Sequence, residues 1–127
     1  MLWSAALETG MKEVDDQHKE LFRQIDTLLD AGNANRFREV LDFLDGYIVK
    51  HFTDEQKLHA RSKYPKASEH KAYHDNYVVI FRKLKAKYIA EGPSAVNNME
   101  INKSVAGWLK EHILVHDREF AAYYKSL

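Results

Sequence analysis

The residues of this chain that could do chemistry are its histidines, five of which fall with two carboxylates on inward-facing stripes of amphipathic segments. A packed interior seldom holds so many ionisable groups unless something compensates them. A pair of bound metal ions would compensate them, because imidazole nitrogen and carboxylate oxygen are both metal ligands. The seven residues are His18, His51, Glu55, His70, His74, His112 and Asp117.

Two pairs in this set have a spacing that suits a metal site. His51 with Glu55, and His70 with His74, are four residues apart. On a helix such residues lie one above the other, with about 5–6 Å between Cβ atoms. A single histidine on an apolar face is more often an ordinary core residue. Four segments that each place a histidine on the inner stripe instead favour one site that joins all four.

Composition limits the remaining possibilities. The chain of 127 residues has 19 basic and 19 acidic side chains, so its formal net charge is zero. This balance argues against a nucleic-acid or membrane-surface partner, since both attract concentrated positive charge. There is no cysteine, so any metal is held by nitrogen and oxygen. No stretch reaches the roughly 20 apolar residues of a membrane span, and we expect that the first residues, which have no basic start and no long apolar run, are not a secretory signal. We expect one domain over residues 1–127, cytoplasmic and monomeric, with a domain excised from a larger chain as the alternative.

The elements that must position these ligands are four helices, predicted from apolar residues that recur every three or four positions. They run over about residues 15–30, 36–61, 68–91 and 98–125, after an irregular N-terminal arm at 1–12. Strand patterns are absent from the sequence. Long amphipathic helices joined by short connections predict an all-α fold, an up-down-up-down antiparallel four-helix bundle.

The ends of these helices have recognisable signals. Asp15 is the expected N-cap of the first helix, and either Asn33 or Asn35 can cap the second. Asn97 with Glu100 resembles a capping box for the fourth. The predicted stops are Gly32, the turn with Tyr64 and Pro65, and Gly92 with Pro93.

The inward stripe of the fourth helix changes register after His112. Without a slip, Val115 or His116 would face the core, followed by Glu119. A slip by one residue instead buries a potential ligand and two aromatic residues. It predicts a local π-bulge, a feature frequent at functional sites. The residues that the slip would bury are Asp117, Phe120 and Tyr124.

In the order of these residues the chain resembles the bacterial hemerythrins, a family of hemerythrin-like di-iron domains. The resemblance covers nearly the whole chain, and the ordered set of motifs is far more specific than any single HxxxH. The matching pieces are Trp3, DDQHKELF at 15–22, HFTDE at 51–55, YP at 64–65, HKAYH at 70–74, WLKEHI at 108–113, and Asp117.

The resemblance implies two iron ions with unequal ligand sets. Three histidines would bind one iron and two would bind the other, while two carboxylates and a solvent-derived oxo or hydroxo group bridge them. The first iron is then six-coordinate and the second five-coordinate, which leaves one open position. By resemblance the sets are His70, His74 and His112, then His18 and His51, with Glu55 and Asp117 as bridges.

Helical spacing alone predicts a different second metal ligand to accompany His112. Its i+4 neighbour is His116, whereas the family pattern uses Asp117 at i+5, about 140° round an ideal helix. The predicted π-bulge resolves this conflict, because a wider turn brings i+5 onto the same face. His116 is then a flanking residue, and His59 is expected at the surface near the end of its helix.

The function implied by the resemblance is reversible binding of dioxygen at the open position, for storage, delivery or sensing. Nitric oxide and small anions are further ligands of such a position. The alternatives are a di-iron oxidase, a peroxidase, a nitric oxide-handling enzyme or an iron-storage protein. Oxygen-activating bundles carry more carboxylates and Glu-x-x-His motifs, which the metal positions here lack, so we expect a binding protein rather than an enzyme. The expected walls of the oxygen pocket are Leu21, Phe52, Trp108, Leu109 and Ile113.

Overall fold

A computed structural model describes residues 3–28 and 33–127, and within these ranges all regular structure is helical. The long helices form the predicted up-down-up-down bundle, in which α1 and α3 each pack against both α2 and α4. A π-helix joins α4 to α5 without a break, so the three segments act as the fourth member of the bundle. The elements are a 3₁₀ helix at Ala5–Leu7, α1 (Lys12–Thr27), α2 (Ala34–Ser62), α3 (Ala67–Glu91), α4 (Ala95–His112), the π-helix (Ile113–Asp117) and α5 (Arg118–Lys125).

Several predicted helix ends are confirmed. The Asn33 side chain caps α2 by accepting a hydrogen bond from the backbone N–H of Arg36. Helix α2 ends at Ser62 before the Tyr64 turn. Helix α3 ends at Gly92, whose φ of 81° lies in the left-handed region that glycine adopts without strain. The predicted stop at Gly32 lies outside the described residues.

The N-cap predicted for α1 is wrong. The helix begins one turn earlier, after Met11, and Asp15 is a buried residue of its first turn. The Asp15 carboxylate accepts hydrogen bonds from the backbone N–H groups of Thr9 and Gly10 and from the Thr9 hydroxyl. It therefore ties the arm to the start of the helix, because the donors that it satisfies precede the helix.

The capping box predicted for the fourth helix is also wrong. Ser94 is the N-cap, and its side chain accepts a hydrogen bond from the backbone N–H of Asn97. Glu100 instead accepts a hydrogen bond from the Tyr88 hydroxyl at 2.9 Å. The two polar residues that resembled a cap thus lie inside α4, which begins three residues before the predicted 98.

The register slip in the fourth helix is confirmed. The π-helix Ile113–Asp117 stands where the stripe changes, and both Asp117 and Phe120 are buried. The prediction is wrong for Tyr124, which is 41% exposed. It lies one residue before the end of α5 and lines a surface cleft with Val14 of α1 and Leu58 of α2.

Because successive helices run in opposite directions, the ionisable residues of all four lie at the same end of the bundle. The starts of α1 and α3 meet the ends of α2 and α4, so all four ligand-bearing stretches lie at one end of the bundle. The opposite end is filled by apolar residues such as Leu28, Phe37 and Ile101. Among the described helices, none is both long and apolar enough to cross a membrane.

Candidate metal centre

The structure brings all seven predicted ligand residues together, each of them 3% exposed or less. They form two groups, and within each group one potential ligand atom per residue lies within 4.8 Å of all the others. The two carboxylates belong to both groups, which is the arrangement expected of bridging ligands. The first group is Glu55, His70, His74, His112 and Asp117, and the second is His18, His51, Glu55 and Asp117.

Three imidazole nitrogens converge in the first group. Nε2 of His112 lies 3.0 Å from Nε2 of His70 and 3.1 Å from Nε2 of His74. A neutral imidazole has one N–H and one lone pair. Three such nitrogens facing one another therefore satisfy one another incompletely, and a metal ion that accepts all three lone pairs fits this arrangement better than protons do.

Each carboxylate directs one oxygen toward each group. Oε1 of Glu55 lies 2.8 Å from Nε2 of His70, while Oε2 lies 3.5 Å from Nε2 of His51. Oδ1 of Asp117 lies 3.0 Å from Nε2 of His70, while Oδ2 lies 3.1 Å from Nε2 of His18. The two carboxylates thus connect the three-histidine side to the two-histidine side.

The donor atoms also pass a test of hydrogen bonding. Within the described ranges, both oxygens of Glu55 and of Asp117, and Nε2 of His18 and of His51, are buried and form no hydrogen bond of acceptable geometry, although imidazole nitrogens lie 2.8–3.5 Å from the oxygens. Native proteins leave few such atoms, and each costs about 1–3 kcal/mol. Metal coordination would satisfy all six, so the residues fit a histidine- and carboxylate-bound metal.

Hydrogen bonds outside the two groups orient one ligand ring. Nδ1 of His51 lies 2.6 Å from Oε1 of Gln17, whose amide nitrogen donates to Oδ2 of Asp54 at 2.9 Å. Lys50 donates to the same Asp54 oxygen. Since the Gln17 oxygen only accepts, Nδ1 carries the proton and the Nε2 lone pair faces the centre.

Aromatic and amide side chains hold other rings of the first group. Phe52 is stacked on His74 with ring centroids 3.8 Å apart, and Trp108 is stacked on His112 at 4.7 Å. The Gln56 amide nitrogen lies 3.0 Å from Nδ1 of His74. The glutamines stand beside the inner stripes in the sequence, but periodicity does not indicate which of them meets a ligand.

Burial and charge act in opposite directions on the ionisable groups. Burial disfavours the imidazolium of His70, but the adjacent Asp117 and Glu55 outweigh it and raise its pKa to about 9. Burial dominates at His51 and lowers its pKa to about 4. Burial would raise the pKa of Asp117, yet His112 and the other imidazoles hold it well below its ordinary value. The metal-free centre therefore keeps charge in its interior.

The expected position of His59 at the surface is wrong. Its side chain is 1% exposed, with its ring 4.4 Å from that of His70 and 4.3 Å from that of Phe120. His59 follows Glu55 by four residues, so it continues the inner face of α2 for another turn. Tyr64 and Phe120 cover this last turn, and that cover could not be inferred from the helix's own periodicity.

His116 flanks the ligands, as predicted, with its ring 5.3 Å from that of His112. It is half-buried, it is stacked on Tyr73 with centroids 4.0 Å apart, and it belongs to neither group. With Trp108, Glu111 and His112, these two residues line an open cleft of about 200 Å³.

The predicted oxygen-pocket walls lie at or near the centre. Phe52 lies against three ligand rings, those of His51, His74 and His112, and Trp108 is stacked on one, that of His112. Their role around a bound gas stays a prediction. Of the five predicted wall residues, four are buried and Trp108 is half-buried. The five are Leu21, Phe52, Trp108, Leu109 and Ile113.

A helical bundle whose interior joins five histidines through two shared carboxylates defines a metal-binding protein with nitrogen and oxygen ligands. The chain belongs to the hemerythrin family, since the hemerythrin HHE cation binding domain matches residues 9–124. This membership confirms the resemblance inferred from the ordered motifs.

Individual relatives agree with this assignment. A bacteriohemerythrin of Methylococcus capsulatus is 35% identical over 117 residues, which cover 89% of this chain and 88% of that protein. A hemerythrin-like protein of Naegleria gruberi is 30% identical over 119 residues, with 93% and 88% covered. A crystal structure of wild-type hemerythrin superposes with a TM-score of 0.83 at 32% identity, covering 96% of this chain and 95% of that one. Family and buried cluster together fit a di-iron, oxygen-binding protein.

Proposed function

We propose that this protein holds two iron ions in the buried centre and binds dioxygen reversibly at one of them. The observation that carries the proposal is the sharing of both carboxylates between a group with three histidines and a group with two. Five side chains would bind the first iron and four the second. With one solvent-derived bridge, the first iron would be saturated, and the second would keep one position for dioxygen.

The ligand roles follow from which atoms face each side. When bound, the iron pair supplies the electrons and the vacant position that dioxygen requires. The oxygens of Glu55 and Asp117 that face His70 would serve the first iron, and their other oxygens the second. The other ligands of the first iron would be His70, His74 and His112. Those of the second iron would be His18 and His51.

The protein chain contributes a buried, apolar surrounding. Leu21, Leu109 and Ile113 are at most 2% exposed, and Phe52 is 3% exposed. Apolar walls disfavour water and charged species, so these side chains would slow oxidation of a bound iron by excluding water from it. On the two-histidine side, Gln17 holds the ring of His51 with its lone pair directed inward.

The ligand set favours a binding protein over an enzyme. Oxygen-activating helical bundles use Glu-x-x-His motifs and more carboxylates, whereas five of the seven candidate ligands here are histidines. Nitric oxide and small anions are expected to compete for the vacant position. A cytoplasmic location, a monomeric state and a single domain over 1–127 stay predictions from the sequence. Light scattering of the purified protein tests the monomer.

An optical experiment tests the function. The reduced, iron-loaded protein is recorded under argon, then in air, then under argon again. Reversible binding predicts a charge-transfer band that appears in air and disappears under argon over several cycles. D117N should lose this behaviour, because it changes a proposed bridge, while H116Q should keep it. Continuous oxygen consumption without a stable oxygenated spectrum would support the enzyme alternative instead.

A further inference from the structure

His59 is a buried polar residue that the proposed ligand sets leave unused. Its side chain is 1% exposed, and neither ring nitrogen has a hydrogen-bond partner in the portion of the chain that the structure describes. Leaving a buried donor or acceptor unpaired is costly. An apolar side chain of similar size would avoid this cost, so the imidazole needs a partner that forms in another state of the centre.

The polar atom that His59 faces belongs to a proposed bridge. Nε2 of His59 lies 3.5 Å from Oε1 of Glu55. Aromatic rings enclose the imidazole, with Phe120 packed edge-to-face and Tyr64 at 5.2 Å between centroids. These neighbours limit rotation of the ring, so its approach to Glu55 is built into the packing.

His59 contacts the carboxylate without joining the ligand atoms. It belongs to neither group of mutually close donor atoms. Its neighbour Glu55 belongs to both groups, and its neighbour His70 belongs to the first. The separation of 3.5 Å exceeds that of a formed hydrogen bond by about half an ångström. A small movement of either side chain would close it.

We propose that His59 is a positioning residue, whose Nε2–H donates a hydrogen bond to Oε1 of Glu55. The bond holds the Glu55 carboxylate in the orientation that serves both metal positions. The inference rests on the proposed function, because it concerns the same centre. Partners of this kind orient metal ligands, and their loss typically weakens metal binding by about 10–100-fold.

The test compares three variants of the full chain. H59M removes the N–H donor and keeps an apolar side chain of similar size. H59Q keeps an N–H donor, and H116M removes a histidine that lies outside both groups. Ferrous iron is titrated anaerobically into each metal-free protein in competition with a chromophoric chelator. Thermal unfolding of each metal-free protein is followed by circular dichroism.

The two readouts should move in opposite directions for H59M. Its iron affinity should fall by about 10–100-fold. Its metal-free melting temperature should rise by about 4 °C, because an unpaired buried imidazole is gone. H59Q should stay within about threefold of the unmodified protein in affinity, and H116M should match it. A residue that only fills space would not give this opposition.

Three results would overturn the inference. The first is an H59M protein that binds iron as tightly as the unmodified chain. The second is an equal loss in H59M and H59Q, which would mean that a donor N–H is not what matters. The third is a lower metal-free melting temperature for H59M. Failure of the proposed function is distinguishable, because the unmodified chain itself would then fail to bind two irons.

Discussion

Removal of the metal should destabilise the folded chain, because it leaves buried donor atoms without a partner. Six donor atoms of Glu55, Asp117, His18 and His51 are buried without hydrogen-bond partners in the described ranges. At about 1–3 kcal/mol each, they cost roughly 6–18 kcal/mol when no metal satisfies them. The cationic His70, whose pKa is raised to about 9, offsets part of this cost.

We therefore expect metal removal to lower the free energy of unfolding by about 6 kcal/mol, the lower end of this range. That amount is comparable to the whole stability of many domains. It corresponds to a fall in melting temperature of roughly 20 °C for a chain of this size. Metal-binding free energy of this order contributes directly to folding.

The assay is thermal and urea unfolding of the iron-loaded and metal-free forms, followed by circular dichroism at 222 nm. The double variant E55Q/D117N is the matched control, since it removes both bridging charges. Its metal-free form should respond little to added iron. Melting temperatures of the loaded and metal-free unmodified protein that agree within about 3 °C would refute the reasoning, because the six atoms would then have other partners.

Three further predictions concern single residues. Metal binding at pH 7.5 should release about one proton, because His70 has its pKa raised to about 9 and is cationic before the metal binds. The proton release, measured with a pH indicator in weak buffer, should decline as the pH rises through 9 and vanish in H70Q. Unchanged release in H70Q would show that the proton does not come from His70. Q17L removes the acceptor for Nδ1 of His51 and should lower ferrous iron affinity about tenfold, whereas Q17E should retain it; equal affinities of Q17L and the unmodified chain in chelator competition would argue against this role. L109A opens a proposed pocket wall and should shorten the lifetime of the oxygenated protein, followed by its visible band; an unchanged lifetime would remove Leu109 from the wall.

The parts of the fold that periodicity controls could be predicted from the sequence. Apolar spacing indicated the helices, and the competition between His116 and Asp117 for the inner face indicated the π-helix at Ile113–Asp117. Because successive helices run in opposite directions, the histidine-bearing ends had to meet. The centre was therefore predictable from the stripes together with the family motifs.

Features that depend on contacts between distant segments could not be predicted in this way. The burial of His59 requires Phe120, which arrives from α5. The bond between Gln17 and His51 depends on the rotation of α1 relative to α2. Asp15 looked like a cap, but its carboxylate accepts from donors in the arm. A repeat of three or four residues carries none of this information.

The most direct test of two metal positions with a single vacancy is the ratio of dioxygen to iron. The metal-free chain is loaded with ferrous iron under argon until binding saturates, and gas uptake is then measured with an oxygen electrode. We expect saturation at two irons per chain and uptake of one dioxygen per two irons, released in full under argon. Saturation at one iron, or uptake of one dioxygen per iron, would contradict the shared and unequal pair.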